Sequence, residues 1–314
     1  MNKKIITYGL AGLLASAAVV AVAITRAAKM PPQNNVESES GQIKTIDHHA
    51  GHSMSNAEMP SNSISDSAHG EHTHHRDRHS AENNDISSAK LSVTSKIEPN
   101  QPVKFVIDIK DTNGKAIAKF DRFQESLMHL IIVSDDLRFF THLHPTYQQN
   151  GRFEVTAKLP QTGGYTIFSD YKPSGQTEQV SVLKTQIPGH NPPTPTIDVN
   201  TAKTFGDTKI NLTFSEPNLK AGKPVSLTFN LQDSKNRSIT DLKPYLGERG
   251  HLVIIKQSSP LTKADYIHAH AGKNSPTGQV KFMTNFPRSG KYKLWGQFNR
   301  NGKIVTADFW VNVN

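Results

Sequence analysis

The chain has 314 residues, no cysteine and a formal net charge of +9 at neutral pH. This length allows two domains of ordinary size, and the lack of cysteine excludes a disulfide framework, thiolate metal ligands and thiol nucleophiles. Lysine and arginine are scattered along the chain and form no stripe with aromatic residues. The charge therefore predicts a solvated basic surface and not a nucleic-acid-binding protein.

Residues 1–28 form a predicted targeting segment. Lys3 and Lys4 precede an uncharged apolar run over residues 5–24. This pattern is typical of a secretory signal peptide, but about 20 apolar residues are also enough to span a bilayer as an uncleaved anchor. Both alternatives place the rest of the chain outside the cytoplasm, in the periplasm or another part of the cell envelope, because the positive charge stays inside.

Residues 29–87 form a predicted disordered linker, which we call the histidine-rich arm. It is rich in Ser, Asn, Asp and Glu and nearly lacks large apolar side chains, so folding would bury too little surface to offset the ordering entropy. A dense histidine tract is a compositional signal for metal binding of low specificity. The arm's histidines are His48, His49, His52, His69, His72, His74, His75 and His79.

The remaining chain is an internal repeat. GRFEVTAKLPQTGGYTIFSDY aligns without a gap to GQVKFMTNFPRSGKYKLWGQF, 127 residues later, and this period is too long for a solenoid unit. Each copy contains short strands rich in Val, Ile, Phe and Tyr between turn signals such as DTNGK and QQNGR. The pattern predicts an all-β fold of two tandem immunoglobulin-like β-sandwich domains, at residues 88–187 and 205–314, joined by a Pro-rich linker at residues 188–204.

Each copy carries three histidines in the same arrangement, one at the start of an apolar strand and then a His-x-His pair. Because residues i and i+2 of a strand point to the same face, each pair projects together, and a hairpin would bring in the third ring. Three imidazoles with an open fourth position suit zinc or copper(II). The first histidine set is His129, His142 and His144, and the second histidine set is His251, His268 and His270.

Other residues near these sets have weaker predicted roles. A thioether from Met128 would favour copper(I), although strand alternation points it away from His129. Asp170 and Gln297 occupy matching positions and are candidate hydrogen-bond partners for a histidine ring nitrogen. Tyr165 and Tyr292 are predicted corner or core residues. Phe139, Phe140, Phe168 and Trp295 are predicted core residues, and His190 in the linker is predicted to have no role.

The segment HLIIVSDDLRFFTHLHP followed by GGYTIFSDY resembles secreted bacterial proteins with YtkA-like or FixH-like sandwich domains. The resemblance covers about residues 90–185 well. It is weaker over about residues 209–314, where Gly250 replaces the Met of the Met-His pair and Ala271 replaces the Pro after His-x-His. These families are frequently associated with copper handling, so the resemblance implies an envelope protein of metal homeostasis.

The leading hypothesis is an extracytoplasmic metal-binding protein, for copper or alternatively zinc, acting in metal buffering, transport or resistance. Such a protein would exchange its ion with an envelope transporter or acceptor protein. The alternative is a structural or interaction module of the cell envelope without specific metal sites. A zinc or copper metalloenzyme ranks third, because no positioned Glu or other general base accompanies either histidine set. We expect no enzymatic activity.

Overall fold

The computed structural model describes residues 85–189, 193, 196–272 and 275–314, all within one compact unit, Glu71–Asn314. The targeting segment, the histidines of the arm and His190 lie outside the described residues. In the part of the chain that is described, no helix is long and apolar enough to cross a bilayer.

The first sandwich contains eight strands in two antiparallel sheets. Its outer sheet has the order β1-β2-β6-β5 and its inner sheet the order β4-β3-β7-β8. The strands are β1 (Ser87–Val93), β2 (Pro102–Asp111), β3 (Met128–Ser134), β4 (Phe140–Leu143), β5 (Thr146–Tyr147), β6 (Arg152–Lys158), β7 (Gly163–Tyr171) and β8 (Gln179–Ile187).

The second sandwich contains nine strands and one turn of 3-10 helix, Lys263–Asp265. Its outer sheet has the order β15-β11-β10-β9, and its inner sheet the order β12-β16-β13-β14, with β17 also paired to β16. The strands are β9 (Ala202–Phe205), β10 (Thr208–Phe214), β11 (Pro224–Gln232), β12 (Leu242–Lys243), β13 (His251–Lys256), β14 (Tyr266–His270), β15 (Gln279–Asn285), β16 (Gly290–Arg300) and β17 (Lys303–Val313).

Strand alternation distributes the apolar residues of β3 between two cores. Leu130 and Ile132 pack in the core of the first sandwich, between its two sheets. Ile131 and Val133 point the other way and join a cluster that also contains residues of the second sandwich. Strand β3 is therefore buried along its whole length, because its sheet is covered on both faces.

This shared cluster, the interface cluster, packs the two inner sheets face to face. Two stacked aromatic pairs cross it: Phe140 on Trp295 and Phe168 on Tyr266, each with ring centroids 4.8 Å apart. The fold therefore has four layers, with the inner sheets in the middle. The buried members of the interface cluster are Ile131, Val133, Leu137, Phe168, Val180, Val253, Ile255, Leu261, Tyr266, Trp295 and Trp310.

The structure confirms the prediction of two tandem immunoglobulin-like β-sandwiches. Tyr165 and Tyr292, predicted as corner or core residues, are both buried. The Tyr165 hydroxyl donates to the Gln161 carbonyl at 2.7 Å and the Tyr292 hydroxyl to the Arg288 carbonyl at 2.6 Å, as in a tyrosine corner. Phe168 and Trp295 are buried as predicted, but between the sandwiches and not inside them.

Candidate metal centre

Two equivalent hairpins position the histidines. Strands β3 and β4 pair antiparallel with Ile131 opposite His142, and β13 and β14 pair with Val253 opposite His268. His129 and His251 lie near the start of β3 and β13, on the strand face that points to the other sandwich. The hairpin geometry predicted from the sequence is therefore present in both copies.

The two hairpins bring both histidine sets to one place, at the interface between the sandwiches. The ring centroid of His129 lies 6.1 Å from that of His251 and 5.4 Å from that of His268. The centroids of His142 and His251 are 5.7 Å apart. The sequence left open whether the histidine sets lie within the sandwiches or between them; the inner sheets pack on each other, so the histidines form a single group.

The first histidine set is the more compact. Each of its residues offers one ring nitrogen, and these three nitrogens lie within 4.8 Å of one another. Nδ1 of His129 and Nε2 of His142 are 3.0 Å apart. Nε2 of His144 is buried and has no hydrogen-bond partner among the described residues.

The second histidine set is more open. Nδ1 of His251 and Nε2 of His268 are 3.4 Å apart, but Nδ1 of His270 contacts the side-chain amide of Gln124 from the first sandwich. Within the described part of the chain, the first set is the one group of three whose nitrogens all lie within 4.8 Å.

Acceptor groups fix the tautomers of the first set. Nε2–H of His129 donates to the carbonyl oxygen of Phe123 at 3.1 Å, and Nδ1–H of His142 donates to Oε1 of Gln297 at 2.8 Å. The Gln297 amide is oriented by its own donation to Oγ1 of Thr306 at 3.3 Å. Each ring therefore has its proton on the nitrogen that points away from the other ring. The lone pairs of His129 Nδ1 and His142 Nε2 face each other.

The second set has the same arrangement. Nε2–H of His251 donates to the carbonyl oxygen of Tyr245 at 3.0 Å. Nδ1–H of His268 donates to a carboxylate oxygen of Asp170 at 3.1 Å, and that oxygen also accepts from the Tyr266 hydroxyl at 3.2 Å. In the neutral His268 tautomer that this bond selects, His251 Nδ1 and His268 Nε2 also present lone pairs toward each other.

Burial favours the neutral form of His129, His142, His144 and His251. The pKa of His129 is lowered to about 3, mainly by burial and next by the charge of His268, and the pKa of His251 is lowered to about 3 for the same two reasons. Burial also lowers the pKa of His142 and of His144. Neutral imidazole is the form that binds a metal.

The nitrogen spacing matches what one ion requires. In a tetrahedral site with metal–nitrogen bonds of about 2.0–2.1 Å, two ligand nitrogens are about 3.3 Å apart. The two pairs measure 3.0 Å and 3.4 Å. Each ring also donates its other N–H to a carbonyl, amide or carboxylate oxygen, as metal-binding histidines usually do.

Two of the weaker predictions have clear outcomes. Met128 is fully buried in the core of the first sandwich, on the opposite strand face from His129, so the structure does not bring it to the histidine group. Asp170 and Gln297 both accept a hydrogen bond from a histidine ring nitrogen, but from a ring of the other sandwich.

Sequence reasoning missed the residues that orient His129 and His251. Phe123 and Tyr245 each lie six residues before the histidine to which they offer a backbone carbonyl. Gln124 was also missed. The repeat could have indicated Phe123 and Tyr245, because an aromatic residue precedes His129 and His251 at the same distance in both copies.

The fold and this histidine group define a protein of two tandem immunoglobulin-like sandwiches that pack face to face around six histidines. The chain belongs to the family described as "Domain of unknown function (DUF8832)", whose model matches residues 82–186 and 203–314. Each match covers one sandwich. No curated protein matches the chain.

The solved structures that match this chain have low sequence identity to it and low TM-scores. The Escherichia coli adhesin FdeC is 16% identical with a TM-score of 0.23, over 72% of this chain and 64% of that one. The integrin-binding bacterial protein invasin is 11% identical with a TM-score of 0.21, over 71% of this chain and 39% of that one. A two-domain fibronectin type-III segment of chicken tenascin is 13% identical with a TM-score of 0.21, over 71% and 97%. The chain thus spans less than two thirds of the two bacterial proteins.

Proposed function

We propose that the protein binds a transition-metal ion at the histidine group between its sandwiches, with the first histidine set as the principal site. The observation that carries this proposal is the 3.0 Å contact between Nδ1 of His129 and Nε2 of His142. Both nitrogens carry lone pairs, because both rings donate their protons elsewhere. Two facing lone pairs repel each other unless a cation lies between them, and a metal ion bound by both nitrogens relieves that repulsion.

Copper is the proposed ion, and zinc is the alternative. The ligands are imidazole nitrogens, which suit both metals, and the resemblance to YtkA-like and FixH-like domains favours copper. With Met128 in the core of the first sandwich, no thioether of the β3 strand adds to the case for copper(I).

The proposed role is metal buffering or transfer in the cell envelope. The histidine-rich arm would capture ions with low specificity, and the interface would hold them at a defined position. The predicted targeting segment places both outside the cytoplasm. The partner would be an envelope transporter or acceptor protein. We propose no catalytic activity for this site.

The test is metal binding by the full-length chain with the eight arm histidines replaced by asparagine, so that the arm cannot contribute. Samples are equilibrated with copper(I), copper(II) or zinc, dialysed and analysed for metal content. We expect tight binding that is lost in His129→Ala and in His142→Ala. The matched control is His190→Ala, which removes a linker histidine and should leave binding unchanged. Equal metal content in all four proteins would refute the proposal.

A second candidate function is a structural or interaction module without a specific metal. The observation that favours it is that protein groups alone make an extensive contact between the sandwiches, through the interface cluster and through hydrogen bonds that cross it. A variant with both histidine sets replaced that still folds and acts as the wild type does in cells would support this function. It would also show that the histidines only help to pack the interface.

A further inference from the structure

The hydrogen bonds that fix the ligand tautomers come from both sandwiches. His129 and His251 are each oriented by a carbonyl of their own sandwich, from Phe123 and Tyr245. His142 of the first sandwich is instead oriented by Gln297 of the second, and His268 of the second by Asp170 of the first.

The crossing bonds are reciprocal because they come from equivalent positions. Asp170 lies opposite His129 in the β3–β7 ladder, and Gln297 lies opposite His251 in the β13–β16 ladder. Each side chain projects from its inner sheet toward the second ligand of the other hairpin. The groups are well buried, with Asp170 and Gln297 at 3% and 6% exposure. Solvent therefore cannot easily replace either acceptor.

We propose that Gln297 and Asp170 are positioning residues that act across the interface, so that each sandwich makes the other's histidine pair competent to bind metal. The inference rests on the proposed function. Gln297 holds the proton of His142 on Nδ1 and so keeps the Nε2 lone pair directed at His129. Asp170 holds the proton of His268 on Nδ1 and so keeps the Nε2 lone pair of His268 directed at His251. The consequence is a second metal position at His251 and His268, and metal binding that depends on sandwich docking.

An acceptor is needed because a neutral imidazole has two tautomers. If the outer nitrogen has no acceptor, the ring can move its proton to the nitrogen that faces the other histidine and donate a hydrogen bond there. In the first set, His142 Nε2–H would then donate to His129 Nδ1 across 3.0 Å. That tautomer satisfies the pair without a metal and competes with metal binding. Loss of such an orienting partner typically lowers metal affinity 10- to 100-fold.

The experiment measures zinc affinity in two backgrounds of the full-length chain, both with the arm histidines replaced by asparagine. Background A also has the second histidine set replaced by alanine, and background B has the first set replaced. In background A, Gln297→Ala should weaken zinc binding about 10- to 100-fold, whereas Asp170→Ala should leave it unchanged. In background B, Asp170→Ala should weaken zinc binding about 10- to 100-fold, whereas Gln297→Ala should leave it unchanged. The probe is zinc alone, measured by competition with a chromophoric chelator.

Three further variants separate positioning from packing. Gln297→Glu and Asp170→Asn keep an acceptor oxygen and should restore most of the affinity. Tyr266→Phe removes a second hydrogen-bond donor to Asp170 and leaves the His268 bond in place, so in background B it should bind zinc nearly as its parent does. The near-ultraviolet circular dichroism of Trp295 and Trp310, both in the interface cluster, reports whether the sandwiches remain docked in each variant.

The outcomes distinguish this inference from the proposed function. If neither the chain that lacks only the arm histidines nor either background binds zinc or copper, the proposed function fails and the inference fails with it. If background A binds zinc and docked Gln297→Ala keeps full affinity, the inference is wrong while the proposed function stands. If Asp170→Ala and Gln297→Ala weaken both backgrounds equally, the residues support the interface in general and the crosswise positioning is refuted.

Discussion

His144 and His270 occupy equivalent positions in their hairpins but have different neighbours. Gln124 contacts Nδ1 of His270 from the opposite sandwich. The equivalent position of the second repeat is Leu246, which has no polar side chain to offer, and Nε2 of His144 has no hydrogen-bond partner in the described part of the chain. The two sets therefore differ: Nδ1 of His270 is engaged by Gln124, whereas Nε2 of His144 is available for a metal.

From this difference between single residues we expect His144→Ala to weaken metal binding much more than His270→Ala. His144 completes the compact first set, so its loss should lower affinity at least 10-fold, the minimum expected even for an orienting residue. The His270 change should have an effect below about 3-fold at the first site. Isothermal titration with zinc compares the two variants, each lacking the arm histidines. A larger effect of His270→Ala would show that the sets are ranked in the wrong order.

Asp265 is a second side chain with a testable role, outside the histidine group. Its buried carboxylate accepts hydrogen bonds from the Ser258 hydroxyl, the Thr262 backbone N–H and hydroxyl, and the Arg288 guanidinium. Although burial raises the pKa of this carboxyl, the hydrogen bonds from Ser258 and Thr262 and the charge of Arg288 outweigh it and hold the pKa below 3.8.

We expect Asp265→Asn to lower the free energy of unfolding at pH 7 by about 2 kcal/mol, as for hydrogen bonds to a charged group. A carboxyl with a lowered folded pKa stabilises the protein above its unfolded pKa, and this contribution is lost as the pH falls through the folded value. The difference between the two proteins should therefore shrink below about pH 4. Urea denaturation at pH 7, 4 and 3 measures it. A difference that is constant or grows toward pH 3 would contradict the role assigned to the carboxylate.

Among the elements, two equivalent tight turns hold the ends of the site. Residues 123–126 and 245–248 each close on reciprocal backbone hydrogen bonds between their first and last residues, and their first carbonyls orient His129 and His251. Both central residues of each turn have positive φ: Gln124 at 46° and Glu125 at 62°, and Leu246 at 53° and Gly247 at 76°. The first turn therefore has two strained side-chain-bearing residues where the second has one.

Glu125→Gly should stabilise the protein by about 1 kcal/mol, because a left-handed conformation costs an L-residue roughly 1–2 kcal/mol. The change makes the first turn match the second, where glycine already occupies this position. The matched control is Glu125→Ala, which removes the carboxylate but keeps the Cβ and the strain. Chemical denaturation should rank Glu125→Gly as the most stable of the three proteins. If the alanine variant is equally stabilised, the gain comes from losing the side chain and not from the backbone.

The strands also show how much of the fold and of the histidine group could be predicted from the sequence. The two hairpins, the shared face of His142 and His144, and the opposite direction of Met128 all follow from the period of two along a strand. The meeting of the two histidine sets did not follow, because it depends on which sheet faces pack together. A local signal was nevertheless present. The segments HLIIVS and HLVIIK each contain an uninterrupted run of four apolar residues, as expected of strands buried on both faces, and they belong to β3 and β13 at the interface.

For the whole molecule, the interface cluster should make the two sandwiches unfold together. Trp295 stacks on Phe140 of the other sandwich and is 3% exposed, so Trp295→Ala should cost about 3–5 kcal/mol, as truncation of a buried tryptophan does. We expect one calorimetric transition in the wild type and two in the variant, because the sandwiches then lose their main coupling. The control is Phe229→Ala, in the core of the second sandwich, which should destabilise that sandwich without uncoupling it. Two transitions in the wild type would refute the coupling.

The reciprocal pairing across the interface has a further consequence. Phe140 on Trp295 has its counterpart in Tyr266 on Phe168, and the bond from His142 to Gln297 has its counterpart in the bond from His268 to Asp170. A surface that contacts an equivalent surface in this reciprocal way is the signature of a symmetric homodimer. The molecule has the form of such a dimer with both subunits fused into one chain. The fusion lets the two halves differ, as Gln124 and Leu246 do, while the shared contact between the halves persists.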